Sequence, residues 1–151
     1  MSEREEVTVP DIVLDLPIKA LPGRVFAAVS SPEGLDRWWT KRSAGEAEEG
    51  REFRLFFGPE HDWRARVTRC VVGSEFELEL VRADDDWLGT RVGFELEPRD
   101  ASTWLRFHHS GWREPNEHFR VSCNCWPMYL RILRRCLEHG ETVAYEERLD
   151  V

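Results

Sequence analysis

Apolar and small residues recur at helical spacing in one long stretch near the end of the chain. Successive members are four or three residues apart: Phe119, Cys123, Trp126, Leu130, Leu133 and Leu137. This spacing predicts a long amphipathic helix that begins near Glu117 and is stopped by Gly140. Pro127 has no amide hydrogen and crowds the carbonyl group of Cys123, so we expect the helix to kink or to restart there.

Six shorter stretches upstream of this helix alternate between apolar and polar residues, which predicts six strands with one dry face and one wet face. The first runs from Ile12 to Ile18, and Pro17 favours an edge or a bulge near its end. After a loop over 43–50, five further stretches place these residues on the dry face: Phe53, Leu55 and Phe57; Trp63, Ala65 and Val67; Phe76, Leu78 and Leu80; Phe94 and Leu96; Leu105, Phe107 and His109. Turn residues such as Gly73-Ser74 separate the stretches, so a meander of hairpins is expected.

Two short helices are predicted between the first strand and the loop over 43–50. Pro22 suits the first turn of a helix that ends at Ser30, and Ser31 before Pro32 suits the cap of a second one. The order of elements is therefore one strand, two short helices, five strands and one long helix. An α+β fold in which a curved antiparallel sheet wraps the long helix would bury the apolar faces of both.

The length of 151 residues is that of one ordinary domain. We expect a single domain over 1–151 with its core over about 12–140. Residues 1–6 and 141–151 are expected to be flexible or peripheral, with weak strand character around 143–145.

Charge and hydropathy narrow the classes of partner. The formal net charge is -8, and basic residues are interleaved with acidic ones, which works against binding a nucleic-acid backbone. The sequence has no apolar run near the length that crosses a bilayer, so we expect a cytoplasmic protein with no membrane partner. Seven tryptophans are the one compositional excess, and their large flat rings suit either a core or a pocket for a ring-bearing ligand.

The sequence offers little conventional catalytic chemistry. On a helix Cys123 and Cys125 point roughly 200° apart and cannot grip one ion, so buried reduced thiols are expected for these two and for Cys70 and Cys136. No nucleophile motif or phosphate-binding loop is present, and we expect no metal and no cofactor. His109 ends an inward-facing alternation and is the one acid–base candidate, although a structural histidine is the favoured interpretation.

Four motifs in this order resemble a known family. They are IKALPGRVFAA over 18–28, PEGLDRWW over 32–39, HSGW over 109–112 and WPMYLRILRRCLEHG over 126–140. Together they resemble the START-like (SRPBCC) superfamily and, more narrowly, its AHSA-type branch, which is named after the activator of the ninety-kilodalton heat-shock protein ATPase. The resemblance covers nearly the whole predicted domain and consists mostly of packing residues.

The resemblance implies a helix-grip fold, START-like or Bet v-like, with about six antiparallel strands curved around the C-terminal helix and two short helices after the first strand. It also implies a deep apolar cavity between sheet and helix, which in that superfamily holds lipids, polyketides, hormones or other hydrophobic molecules. Some members of the superfamily carry out chemistry in the cavity. For this chain, non-enzymatic binding is the favoured interpretation.

Our first hypothesis is that the cavity binds a hydrophobic small molecule, such as an aromatic or polyketide-like compound. The residues expected to contact it are Trp39, Phe53, Leu55, Trp63, Phe76, Leu78, Phe94, Phe107, His109, Trp112, Trp126, Tyr129, Leu130 and Leu133. His109 or Tyr129 would supply a directional hydrogen bond. By contrast, Trp87 and Trp104 are assigned to a loop or to the outer face.

Two rival hypotheses remain open. One is a co-chaperone-like interaction module with a chaperone partner and a role in the stress response, in which Trp104 beside Arg106 marks the contact surface. The other is a cyclase- or aromatase-like enzyme with His109 as acid or base, or a self-sacrificing resistance protein of the same fold, by analogy alone. In each case we expect a monomer or a weak dimer.

Overall fold

Seven antiparallel strands form one curved sheet in the order β1-β7-β6-β5-β4-β3-β2. The structure, a computed structural model, describes residues 8–150, so the expectation for residues 1–6 lies outside the described residues. Its elements are β1 (Ile12–Ile18), α1 (Pro22–Ser30), α2 (Pro32–Leu35), β2 (Arg42–Ala44), β3 (Glu52–Phe56), β4 (Asp62–Val71), β5 (Glu75–Arg82), β6 (Arg91–Arg99), β7 (Ser102–Ser110), α3 (Glu117–His139) and a C-terminal 3-10 helix (Tyr145–Asp150). The predicted α+β helix-grip architecture is confirmed.

The sheet differs from the prediction in one strand. β2 overlaps the start of the loop predicted over 43–50, and it pairs through three residues with β3. So short a strand has no apolar alternation of its own, because its residues are at most half-buried. At the other edge β1 pairs only with β7, and Pro17 lies in this edge strand as predicted.

The dry face of the sheet and one face of α3 form the core. The strands contribute fully buried side chains at Phe53, Leu55, Ala65, Phe76, Leu78, Phe94, Leu105 and Phe107. Within α3, Trp126, Leu130 and Leu133 are buried as predicted. Cys123, however, is exposed and Ser122 is buried in its place, because the apolar face of α3 steps back from Trp126 by four residues rather than three.

The long helix runs without interruption from Glu117 to His139, so a restart at Pro127 is the wrong alternative. Proline removes one hydrogen bond from the helix, whereas the buried neighbours Trp126 and Met128 keep it against the core on both sides of that gap. Both ends are capped. The Asn116 side chain accepts from the amide of Phe119 at 3.1 Å, and Gly140 ends the helix with a φ of 66°.

The C-terminal 3-10 helix replaces the weak strand predicted around 143–145. Its anchor is Arg148, which is buried and donates hydrogen bonds to the carbonyl oxygens of Thr40 at 3.1 Å and Asp36 at 2.7 Å. The hydroxyl group of Tyr145 donates to the carbonyl oxygen of Phe57 at 3.0 Å. The segment therefore lies at the periphery but is tied to the rest of the domain. None of the helices within residues 8–150 combines the length and apolarity needed to span a membrane.

The wet face of the sheet contains one position that only glycine fits. Gly93 on β6 lies opposite His108 on β7, and a Cβ atom at Gly93 would overlap the His108 ring. That ring is held by Glu77, whose Oε2 lies 2.8 Å from His108 Nε2. We predict that Gly93→Ala lowers the free energy of unfolding by about 1–3 kcal/mol, measured by urea denaturation.

The matched control is the same substitution at Gly23 in α1, where a Cβ atom meets nothing within 4 Å. Because alanine is the better helix former, Gly23→Ala should stabilise the protein by up to about 1 kcal/mol. Equal effects of the two substitutions would contradict the steric account of Gly93.

Candidate functional site

Five aromatic side chains form a closed ring at one end of the sheet, and we call them the five-ring cluster: Trp39, Phe57, Trp63, Trp87 and Trp126. Taken in that order, neighbouring ring centroids are 5.5, 5.1, 5.0 and 5.8 Å apart, and Trp126 returns to Trp39 at 5.3 Å. Each residue comes from a different part of the fold, namely the turn after α2, the end of β3, β4, the β5–β6 loop and α3. The cluster therefore exists only in the folded chain.

A cleft of about 380 Å³ opens over the five-ring cluster. Tyr129 of α3 and Tyr145 and Leu149 of the C-terminal 3-10 helix extend its apolar wall. The polar or small residues in the lining are His61, Asp84, His118, Ser122 and Cys125, together with the aliphatic Val121. A mostly aromatic concavity with a few polar groups is the usual composition of a small-molecule site.

Trp87 is held in the cleft by its own loop. Its backbone amide donates to the carbonyl oxygen of Asp84 at 2.9 Å, and its carbonyl oxygen accepts from the hydroxyl group of Thr90 at 2.6 Å. The indole N–H of Trp87 is buried and has no acceptor among residues 8–150. An unmet buried donor favours a bound acceptor, from water or from a ligand.

His109 lies beneath the cleft and joins the helix to the sheet. Trp126 Nε1 donates to His109 Nδ1 at 3.0 Å, and His109 Nε2 lies 2.8 Å from Thr90 Oγ1. Because indole N–H can only donate, Nδ1 must be the acceptor and Nε2 must carry the proton. Thr90 Oγ1 accepts a hydrogen bond from His109 Nε2–H and donates one to the carbonyl oxygen of Trp87. One chain of hydrogen bonds therefore connects Trp126 and Trp87, two members of the five-ring cluster.

Burial also fixes the charge of His109. The side chain is fully buried, and desolvation, with smaller contributions from His108 and His118, lowers its pKa to about 3. It is therefore neutral at neutral pH, and both ring nitrogens are occupied by protein groups. This arrangement supports the structural interpretation of His109 and gives no support to a role as acid or base.

Two histidines that line the cleft, His61 and His118, each contact an aspartate. His61 Nδ1 lies 3.3 Å from Asp84 Oδ1, and His118 Nδ1 lies 3.3 Å from Asp86 Oδ2. Asn116 donates to the other oxygen of Asp86 at 2.8 Å. Within the cleft, burial raises the pKa of Tyr129 to about 12, so its hydroxyl group stays protonated and can donate a hydrogen bond.

Comparison with known proteins identifies the family of this chain. A protein-family model described as activator of Hsp90 ATPase homolog 1-like protein matches residues 19–138. The chain belongs to this family. The match confirms the AHSA-type resemblance, and it ends before the C-terminal 3-10 helix that contributes Tyr145 and Leu149 to the cleft.

Solved structures agree with the family assignment. The Aha1 dimer from Colwellia psychrerythraea is 26% identical, with a TM-score of 0.79 over 88% of this chain and 99% of that one. Protein BH1534 from Bacillus halodurans is also 26% identical, with a TM-score of 0.72 over 86% of this chain and 98% of that one. CalU16 from Micromonospora echinospora shares the fold at 20% identity, with a TM-score of 0.68 over 93% and 83%. No curated protein sequence gives a significant match.

The residues predicted to contact a ligand separate into three groups in this family member. Trp39, Trp63, Trp126 and Tyr129 line the cleft. His109 and Trp112 are buried behind Trp87, with ring centroids 4.5 and 6.1 Å from it. The remaining eight are packed in the core: Phe53, Leu55, Phe76, Leu78, Phe94, Phe107, Leu130 and Leu133.

The deep cavity implied by the family resemblance is therefore filled over much of its length. The ring of Trp126 lies 4.4 Å from that of Phe107 on β7, and Trp38 lies 5.9 Å from Phe94 on β6. These large side chains occupy the space between sheet and helix. The open volume is the cleft over the five-ring cluster, at one end of the sheet. Nothing in the alternation of the strands indicates how far the side chains fill the interior.

Several lining residues were missed by sequence reasoning. Trp87 was assigned to a loop or the outer face, and it does lie in a loop, but that loop folds inward and buries the ring. Phe57 was predicted to face inward without being assigned to the site. Tyr145 and Leu149 belong to a segment expected to be loose, and His61 and His118 have no spacing that relates them. The clustering of tryptophans is the only signal that pointed here.

The cysteines differ from the prediction in their burial. All four are free thiols, but Cys123 is exposed and the other three are half-buried. Cys125 lines the cleft while Cys123 faces away from it, as the helical geometry requires. Within the part of the chain that the structure describes, no three His, Cys, Asp or Glu side chains are grouped so as to hold a metal ion.

The neutral, buried state of His109 predicts how stability changes with pH. The unfolded chain takes up a proton at this residue near pH 6.5, whereas the folded protein does so only near pH 3. Acid therefore favours unfolding across this window, by up to about 1.4 kcal/mol per pH unit from this one group. His109→Gln, which cannot titrate, should lower stability at neutral pH and flatten the dependence on pH in urea denaturation.

His139 provides the matched control because it is exposed at the end of α3. His139→Gln should retain the wild-type slope of stability against pH. The assignment of His109 as a buried neutral hub is wrong if His109→Gln has that same slope.

Proposed function

We propose that this chain binds a small flat hydrophobic molecule in the cleft over the five-ring cluster. The observation that carries the proposal is the convergence of five aromatic side chains, from five separate parts of the fold, on one open concavity. The cleft above them measures about 380 Å³ and has a mostly aromatic lining. This volume lies within the range usual for small-molecule sites.

Affinity would come mainly from burial of the guest against the indole and phenyl rings. Each Å² of apolar surface removed from water contributes roughly 25 cal/mol, and offset or edge-to-face ring contacts add to this. Tyr129 supplies a hydroxyl donor on one wall. The unmet N–H of Trp87 favours a guest that also carries an acceptor. The guest occupies the mouth of the fold, because the interior beneath it is already filled.

Two substitutions that lie two residues apart on α3, on opposite sides of the helix, test the location of the site. Cys125→Phe places a large side chain in the cleft, whereas Cys123→Phe makes the same change on the exposed side of the helix. We expect a neutral planar aromatic such as 2-naphthol to quench tryptophan fluorescence in wild-type protein and in Cys123→Phe. Cys125→Phe should weaken that binding by tenfold or more, which corresponds to about 1.4 kcal/mol.

Near-ultraviolet circular dichroism of both variants checks that the fold is retained. If no member of a panel of planar aromatics binds the wild-type protein, or if both variants bind equally well, the cleft is not the binding site.

The family assignment favours one second candidate function, that of a co-chaperone-like module that acts on an Hsp90-type ATPase. Its surface would be outside the cleft, and a cytoplasmic location and a role in the stress response would accompany it. Trp104 on β7 is the aromatic that sequence reasoning selected for this surface. Its ring is half-buried and covered by the guanidinium group of Arg99 at 4.2 Å, and the nearby Arg106 is paired with Asp15 at 3.2 Å. Both contacts reduce how far this patch is available to a partner.

An ATPase assay separates the two functions. On the co-chaperone hypothesis, the protein should raise the ATPase rate of a purified Hsp90, the increase should survive Cys125→Phe, and Trp104→Ala should reduce it. On the ligand-binding proposal we expect no increase in the rate, because no described contact surface outside the cleft supports a partner.

A further inference from the structure

We propose that the cleft selects a ligand bearing an organic cation, a quaternary ammonium or protonated amine group, which sits in the cleft against the five-ring cluster. This inference rests on the proposed function and names the chemical class of its ligand. The occupant is a small molecule, because the cleft is short and closed at its base by the packed core.

The wall of the cleft is a close-set group of aromatic rings. Neighbouring centroids in the five-ring cluster are 5.0 to 5.8 Å apart all the way round. Rings this close together can lie within the ~6 Å of one bound cation that a cation–π contact requires. Aromatic faces carry negative potential, so faces in the wall attract a cation, whereas they offer a neutral guest only contact area.

The lining of the cleft carries negative rather than positive fixed charge. Asp84 is the only carboxylate among the lining residues, and no lysine or arginine is among them. Asp85 and Asp86 follow in the same turn and add to the negative potential at the rim. The contact with His61 involves Oδ1 of Asp84 and leaves its second oxygen for a guest. Both a carboxylate and a set of π faces favour positive charge, whereas an anion would meet no fixed positive partner in the lining.

Two basic side chains of the protein lie against Tyr145 in the wall of the cleft. The guanidinium carbon of Arg148 is 5.5 Å from the Tyr145 ring centroid, and Nζ of Lys41 is 5.8 Å from it. Arg148 is turned to the carbonyl oxygens of Asp36, Thr40 and Val143. The Tyr145 ring therefore already contacts cations of the protein itself, and the guest would contact the five-ring cluster instead.

The position of Asp84 is coupled to that of the cluster. Its backbone carbonyl oxygen accepts from the amides of Trp87 at 2.9 Å and Leu88 at 3.0 Å. One turn thus presents both a carboxylate at the rim and an indole ring in the wall. Such a pairing of anion and aromatic face, on a backbone fixed by hydrogen bonds, is suited to recognising charge as well as shape.

A pair of probes that differ only in charge tests the inference. 4-(Trimethylammonio)phenol and 4-tert-butylphenol have nearly the same shape, and the first carries a permanent cation. We expect the wild-type protein to bind the cationic probe about tenfold more tightly at neutral pH, measured by tryptophan fluorescence and isothermal titration calorimetry. Asp84→Asn should reduce this preference several-fold, because it removes the charge and keeps the shape and the backbone.

Asp100→Asn is the matched control, since Asp100 lies in an exposed turn away from the cleft and its φ of 54° suits asparagine equally well. It should leave the preference unchanged. Equal or tighter binding of 4-tert-butylphenol by the wild-type protein overturns the inference and leaves the proposed function standing. If neither phenol binds and 2-naphthol also fails, both are overturned. If the preference falls equally in the two Asn variants, Asp84 has no specific part in it.

Discussion

The site depends on one buried hydrogen bond, from the indole of Trp126 on α3 to His109 on β7. A donor and an acceptor this deep in the core would each be costly to leave unpaired, so the bond fixes how the helix lies on the sheet. Through Thr90 the same histidine also fixes the carbonyl group of Trp87. Two walls of the cleft, one helical and one in a loop, are thus positioned from a single neutral imidazole ring. Loss of the His109 ring would therefore change the positions of Trp126 and Trp87 in the walls of the cleft.

The space between sheet and helix in a helix-grip fold can hold side chains or a pocket. In this chain, side chains fill most of it. Its aromatic residues close the region between the sheet and the middle of α3, where a deep cavity was expected. The tight contacts there stabilise the domain through burial and dispersion. What remains open is the mouth, which is lined by rings that are still buried on their inner sides. The family assignment therefore specifies the frame, while the sizes of individual side chains determine the volume left for a guest.

Much of the frame could be predicted from the sequence, because strand alternation and the helical spacing of Trp126, Leu130 and Leu133 are local patterns with a single simple solution. The site could be predicted only in part. Trp63, Trp126 and Tyr129 were predicted because they lie on elements with clear patterns. Trp87 was misplaced, since its burial depends on how a loop folds back over the sheet. Likewise, the docking of the C-terminal 3-10 helix depends on Arg148 reaching carbonyl oxygens more than a hundred residues away in sequence, and no local pattern encodes such a contact.

The C-terminal 3-10 helix lines the cleft but lies outside the region that matches the family. It contributes Tyr145 and the largely exposed Leu149 to the cleft, yet it lies beyond the stretch that the family shares. Substitutions of Tyr145 or Leu149 can reshape one side of the cleft without changing the five-ring cluster. The shape of the cleft therefore depends on a short appendage outside the matched family region as well as on the shared core.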